Sequence, residues 1–254
     1  MPLLQAPLAA ILGAGPAGLM AAEVLSAAGV EVHVYDAMPS AGRKFLLAGK
    51  GGLNLTHSEP LPSFIERFGE QAAVVGDWLH DFGPQAVRDW AAGLGVGTFV
   101  GTSGRVFPTE MKAAPLLRAW LHRLRHPRAP GAVPVRFHMR HRWVGWEDTA
   151  VTPETIAAGA GQASAGGRFV FESLAGRVGV APAAALLALG GASWPRLGSD
   201  GAWVPWLEQA GAQVAPLAPA NCGFDAAGRA GAGWTPFFAE RFAGQPLKSV
   251  AVAF

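Results

Sequence analysis

The sequence contains a single cysteine, Cys222, which rules out a disulfide within the chain and any multi-cysteine metal site. That usage suits a reducing cytoplasm. Cys222 itself reads as a small apolar side chain, with a redox role as the rarer alternative. No apolar run reaches the roughly 18 residues that a membrane-spanning helix needs. The apolar N-terminus lacks the basic segment of a secretory signal, since its first charged residue is Glu23. It reads instead as a buried parallel strand. Charge is scarce: 15% of residues are charged and the net charge is +2. A general attraction to nucleic acid is therefore not implied. One basic run, Arg118–Arg142, matches no nucleic-acid module and reads as a solvated helix face followed by a strand edge. No internal repeat is visible.

Apolar residues are abundant. They make up 50% of the 254 residues, enough for a filled core and for one large domain or a domain plus part of another.

The most informative stretch is residues 8–36. The apolar run Leu8–Leu12 leads into Gly13-x-Gly15-x-x-Gly18, with Pro16 and Ala17 between the second and third glycines. A helical segment follows, then an alternating run, Val30–Tyr35, closed by Asp36. This is the strand–turn–helix–strand unit that binds the ADP half of a dinucleotide. Gly13 permits the tight turn. Gly15 lets a pyrophosphate approach the backbone. Gly18 lets the helix pack on the sheet. The helix start offers free N–H groups and the positive end of its dipole to phosphates. Asp36 can accept hydrogen bonds from both ribose hydroxyls and would repel a 2′-phosphate, so FAD or NAD fits better than NADP.

The next segment, Ala37–Pro62, reads as a long loop rich in Gly, Lys and Arg, and loops of that length inside a compact domain are usually functional. Arg43 and Lys44 lie where a cofactor's phosphates would emerge. Gly49, Gly51 and Gly52 would let backbone approach a flat ring, and Asn54 and Thr56 could hydrogen-bond a flavin or its ribityl chain. A Walker A reading fails because Gly51, not Ser or Thr, follows Lys50.

Helices are expected over Ser63–Phe68, Gln71–Phe82, Pro84–Leu94 and Met111–His126, the last with an apolar stripe opposite basic residues. Val135–Glu147 and Arg168–Ser173 alternate like strands, with a flexible Gly159–Gly167 connection, and suggest a β-meander over about residues 134–182 laid on the dinucleotide domain. Ala184–Leu189, ending at Gly190 and Gly191, reads as another buried parallel strand. Ala202–Ala210 reads as a helix capped by Ser199 or Asp200. The texture changes near Val214, so the expected domains are residues 1–213, and 214–254 as the beginning of a β-rich domain. The apolar end, VAVAF, reads as a strand, and the chain as one that lacks a C-terminal portion.

Four segments in this order, GAGPAGLMAAEVL, GRKFLLAGKGGLNLTHSE, GRVFPTEMKAAPLLRAWL and LALGGASWPRLGSDGAW, resemble a flavoprotein family. It is the family of NAD(P)/FAD-dependent oxidoreductases that includes 3-dehydro-bile-acid reductase-like proteins. The closer likeness is to a subgroup whose glycine loop reads GKGGLNLTH. The resemblance implies an α/β fold: a Rossmann-like FAD-binding domain of the two-dinucleotide-binding-domain type, with a β-rich domain inserted. It implies that Gly13, Gly15 and Gly18 bind the FAD pyrophosphate and that Asp36 binds the adenosine ribose. Arg43 and Lys44 would lie by the phosphates, and Gly51, Gly52 and Asn54 near the flavin. Gly190 and Gly191 would be a strand end passing close to FAD, continued by Ser193–Pro195 and Gly198–Gly201. Two departures stand out. Leu53 and Gly52 occupy the places of a cysteine and an arginine in the commoner loop, so chemistry resting on those two does not carry over.

A reduced flavin could pass hydride to an activated double bond of a small-molecule substrate, with a general acid protonating the adjacent carbon. His57 is the candidate acid, against the plainer reading of a loop histidine, and Tyr35 is the chain's only tyrosine. Arg105 could bind an acidic substrate or cap a sheet. No second G-x-G-x-x-G marks a site for NAD(P)H as electron donor. The alternatives are an NAD-dependent dehydrogenase and a non-catalytic flavin-binding chain.

Overall fold

A computed structural model describes residues 8–48, 51–147, 168–218 and 234–245. The chain forms two compact units, Met1–Ala215 and Pro216–Phe254.

The first unit is three-layered around a parallel sheet. Its strands are β1 (Leu8–Leu12), β2 (Glu31–Asp36), β6 (Arg136–Met139) and β10 (Ala184–Leu187), in the order β10-β1-β2-β6. All three pairings are parallel, with Leu12 beside both Tyr35 and Leu187. A strand covered on both faces is apolar on both, which is why β1 reads as a continuous run rather than an alternation. Ala10, Ile11 and Leu12 are buried.

One face carries α1 (Pro16–Ala27) and α6 (Ala113–Arg125). Ile11, Leu19, Val32 and Val34 meet Leu117, Trp120 and Leu124 there. Each such side chain contributes about 1.5–3 kcal/mol by leaving water. The other face carries an antiparallel meander: β7 (Arg142–Glu147), β8 (Arg168–Ser173) and β9 (Gly176–Val180). Ala10, Leu12 and Tyr35 pack against Phe171, Trp143 and Phe169 in that layer.

The remaining elements flank these layers. They are α2 (Arg43–Ala48), α3 (Leu61–Glu66), a 3-10 turn (Gly69–Gln71), α4 (Ala72–Asp81) and α5 (Pro84–Gly93). β3 (Thr56–His57), β4 (Thr98–Val100) and β5 (Arg105–Pro108) form a second antiparallel sheet in the order β3-β5-β4. A 3-10 turn at Pro195–Leu197 precedes α7 (Val204–Gln209). In the second unit, α8 (Pro236–Phe242) begins at Thr235, whose hydroxyl accepts from Phe238 N–H.

Several expectations need correction. Val135–Glu147 is not one strand of the meander. Its first part, β6, joins the parallel sheet, and only β7 joins the meander. The break falls at Arg140, whose φ of 60° turns the chain between the two sheets. The Ala37–Pro62 segment is not all loop, because RKFLLA, a run of good helix formers, forms α2. Helix α6 starts at Ala113 rather than Met111, whose φ of 58° does not fit a helix. Helix α7 starts at Val204 with no side-chain cap at Trp203. Asp200 instead accepts from Ala202 N–H, and Ser199 donates to Gly191 O. Gly49, Lys50, the Gly159–Gly167 connection, Cys222 and the terminal KSVAVAF lie outside the described residues.

Candidate functional site

Two consecutive strand ends create the site. β1 stops at Leu12 and the chain turns through Gly13, whose φ is 112°. A Cβ there would collide with the carbonyl of Ala188, so only glycine fits beside β10. Gly18 serves packing: its Cβ would collide with the Gly13 carbonyl. Gly15 differs from both. A Cβ built on it meets no atom within 4 Å and would point into open space. Gly15 caps α1 with Pro16 in the first turn. The first N–H groups of that helix have no intrahelical acceptor and carry the positive end of its dipole.

Asp36 ends β2. Its Oδ2 accepts from Ala14 N–H at 2.7 Å and its Oδ1 from Met38 N–H at 2.7 Å. The carboxylate thus ties the glycine turn to the strand end, and each oxygen keeps a lone pair for a further donor.

These groups open on a cavity of about 900 Å³. Of the residues singled out from the sequence, Gly13, Gly15, Pro16, Ala17, Asp36, Arg43, Lys44, Asn54 and Gly190 line it. Gly18, Gly51, Gly52 and Gly191 do not. Gly52 packs its Cα side against Met111 and Phe107, and Gly51 is exposed. Gly198, Ser199 and Asp200 line the cavity, whereas Ser193, Trp194, Pro195 and Gly201 do not.

His57 is also outside the lining. It sits on β3, opposite Arg105 on β5, with Nε2 3.1 Å from Ser103 O and Nδ1 accepting from Glu59 N–H at 3.2 Å. Both ring nitrogens therefore serve the local loop structure. Arg105 is exposed at the start of β5.

Two cations shape the rim. Lys44 Nζ donates to Ser193 Oγ at 2.5 Å, so it holds the segment after β10 to α2. Arg142 Nη1 approaches Asp200 Oδ2 at 3.4 Å from the meander side. Arg43 contributes an orphan: its Nε is buried and has no hydrogen-bond partner among the described residues. Unpaired buried donors are costly and call for an acceptor. A phosphate oxygen in this cavity is such an acceptor, so the residues present fit a dinucleotide.

Side chains from the meander and from α7 complete the walls: His141, Trp143, Phe171, Trp203 and Trp206. No local signal marks these residues in the sequence, because they reach the cavity only through the packing of the meander and α7. Trp203 Nε1 donates to Gly190 O at 3.0 Å, and Trp206 packs against Gly145 at the bulge of β7. Behind Tyr35 lies an aromatic stack: its ring centroid is 4.4 Å from Phe171 and 4.5 Å from His138. Burial raises the Tyr35 hydroxyl above its usual 10.0. Burial, then the charges of His33, His141 and Arg136, pushes the His138 imidazole down to about 4. The stack next to the cavity is thus neutral at physiological pH.

The chain matches the family described as HI0933-like protein Rossmann domain over residues 8–233. No curated protein matches it. Among solved structures it is similar to the open conformation of a flavocytochrome c3 fumarate reductase, with 16% identity and a TM-score of 0.53 over 74% of this chain and 34% of that one. It is also similar to Thermovibrio ammonificans THI4, with 14% identity and a TM-score of 0.46 over 82% of this chain and 64% of that one. A third is the 3-ketosteroid-delta4-(5alpha)-dehydrogenase from Rhodococcus jostii RHA1, with 16% identity and a TM-score of 0.46 over 75% and 47%. The chain thus spans less than two thirds of the length of these structures. Among the described residues, no helix is long and apolar enough to cross a membrane.

Proposed function

The chain belongs to the HI0933-like Rossmann family, and from that premise we propose that it is an FAD-binding oxidoreductase. The observation that carries this reading is one cavity lined together by Gly13, Gly15, Asp36, Arg43 with its partnerless Nε, Lys44 and Asn54. An ADP half needs the first three. Arg43 and Lys44 add cations for its phosphates, and Asn54 extends the site past the ADP half, as FAD requires.

When bound, FAD supplies hydride chemistry. The rest is the work of the chain. Gly15 leaves room for the pyrophosphate, and the start of α1 faces it with N–H groups and a positive dipole. Arg43 and Lys44 neutralise phosphate charge. Asp36 accepts from ribose hydroxyls while it braces the glycine turn. Trp203, Trp206 and Phe171 exclude water from the cavity walls.

In this reading NAD(P)H would be the hydride source and a small molecule the acceptor, and the GKGGLNLTH loop resembles that of a subgroup of the flavoprotein family that includes 3-dehydro-bile-acid reductase-like proteins. The solved neighbour that is a fumarate reductase supports an oxidoreductase of this fold. The test is the visible spectrum of the purified protein and the identity of the cofactor released on denaturation. Flavin bands near ~450 nm with released FAD are expected. A colourless protein that binds NAD but not FAD would replace this reading with a nicotinamide-dependent one.

A further inference from the structure

The basic run after α6 begins has a second role. Residues 118–128 hold Arg118, His122, Arg123, Arg125, His126 and Arg128 and no acid. Part of this run is not merely a solvated face, because it lines a cavity of about 580 Å³. The cavity lies where α1, α5 and α6 end. Those ends of α1 and α6 feed the N-terminal starts of β2 and β6. Asp36 lies at the other end of β2, and Gly13 at the corresponding end of the neighbouring β1, so this cavity is separate from the dinucleotide site.

Its charge is one-sided. Arg123, Arg128, His122 and His126 line it, and among the described residues Glu23 is the only acid that does. Glu23 is already spent: Oε2 accepts from the indoles of Trp90 at 3.1 Å and Trp120 at 2.6 Å, and Oε1 lies 2.6 Å from Arg123 Nη2. Arg123 Nε is buried with no hydrogen-bond partner among the described residues. The rings of His122 and His126 are 4.9 Å apart, close enough to share one anion.

Helix C-termini by themselves repel anions. Here several of their last carbonyls are occupied. His122 O accepts from His126 N–H, Leu124 O from Val135 N–H, Ala92 O from Gly95 N–H, and Ser26 O from Gly29 and Val133 N–H. Donors and apolar surface from Leu94, Leu124 and Ala129 remain. The volume is within the range of small-molecule sites.

We propose that this cavity binds a small molecule that carries a phosphate group on a compact apolar body. The guanidinium of Arg128, the partnerless Nε of Arg123 and two imidazoles offer more donors to the several oxygens of a phosphate monoester than a single carboxylate could use. A concave site with apolar walls favours a small ligand over a nucleic-acid backbone.

The experiment is a titration of the full chain with phenyl phosphate, followed by histidine ring NMR. Resonances are assigned from His122→Gln, His126→Gln and His141→Gln variants. His141 lines the dinucleotide cavity and therefore reports phosphate bound there instead. Saturable shifts of His122 and His126, weakened about tenfold by Arg128→Ser with the His141 response and the circular dichroism unchanged, are expected. Arg128 is exposed, so its loss leaves the core intact. Four results would overturn the proposal: shifts confined to His141, equal shifts with sodium chloride, equal shifts in Arg128→Ser, or displacement of the phosphate by an oligonucleotide with steep salt dependence.

Discussion

Asp36 Oδ2 accepts a hydrogen bond from Ala14 N–H at 2.7 Å, which locks the end of β2 to the glycine turn that follows β1. The same carboxylate accepts from Met38 N–H. It therefore has two duties, one to the fold and one to the cofactor. Asp36→Ala is expected to cost about 1–3 kcal/mol of stability in the chain without cofactor and to weaken FAD binding further. Urea unfolding and FAD titration measure the two separately. A variant that loses FAD affinity with unchanged unfolding would show that the brace to Ala14 is energetically empty.

The first and last glycines of the fingerprint support structure, and the middle one leaves space. Gly15→Val is expected to keep the unfolding midpoint and abolish dinucleotide binding, because the added atoms enter open space in the cavity. Gly18→Ala is expected to destabilise the fold, since its Cβ would meet the Gly13 carbonyl. Thermal unfolding beside cofactor titration of both variants reads the contrast. The opposite ranking would mean that the pyrophosphate does not lie over Gly15.

Arg43 carries a buried, partnerless Nε. Arg43→Met removes that orphan and keeps the aliphatic bulk. The chain without cofactor should be as stable or slightly more stable, while FAD affinity falls about 10-fold to 100-fold, the worth of one charge-assisted contact. Unchanged affinity would remove Arg43 from the phosphate site.

Glu23 collects the indole N–H groups of Trp90 and Trp120 and the guanidinium of Arg123. Glu23→Leu leaves two indole donors and a cation without their acceptor. A loss of at least about 2 kcal/mol is expected in urea unfolding. A neutral result would mean that water replaces the carboxylate at no cost.

His138 gives stability a pH dependence. In the unfolded chain it takes up a proton near its usual 6.5, and in the folded chain only near about 4. The unfolded state thus binds more protons between those values, and stability falls as pH drops through that window. Because the ring is only partly buried, the loss is about 2 kcal/mol or less. Urea midpoints at pH 7 and pH 4.5 for the parent chain and His138→Phe check this. The parent should lose more than the variant.

Much of the site was legible locally. Gly13, Gly15, Gly18 and Asp36 were readable because a turn, a close approach and a strand end demand particular residue types at fixed spacing. Arg43, Lys44 and Asn54 were readable from the resemblance and from their place after Asp36. Gly51, Gly52 and His57 show the limit. The loop is continuous in sequence, but of residues 51–57 only Leu53, Asn54 and Leu55 line the cavity, whereas Gly51 is exposed, Gly52 packs against Met111 and Phe107, and His57 lies in β3.

The sequence by itself determined the strand–turn–helix–strand unit, because periodicity, glycine steric freedom and an acidic strand end act over a few residues. Only the tertiary structure decided that β6 leaves the meander for the parallel sheet, and that His141, Trp143 and Phe171 wall the same cavity as Gly13. It also decided that a basic helix end curls around a second cavity. Those outcomes depend on which faces pack against which, and such contacts between residues more than 100 positions apart leave no local pattern in the chain.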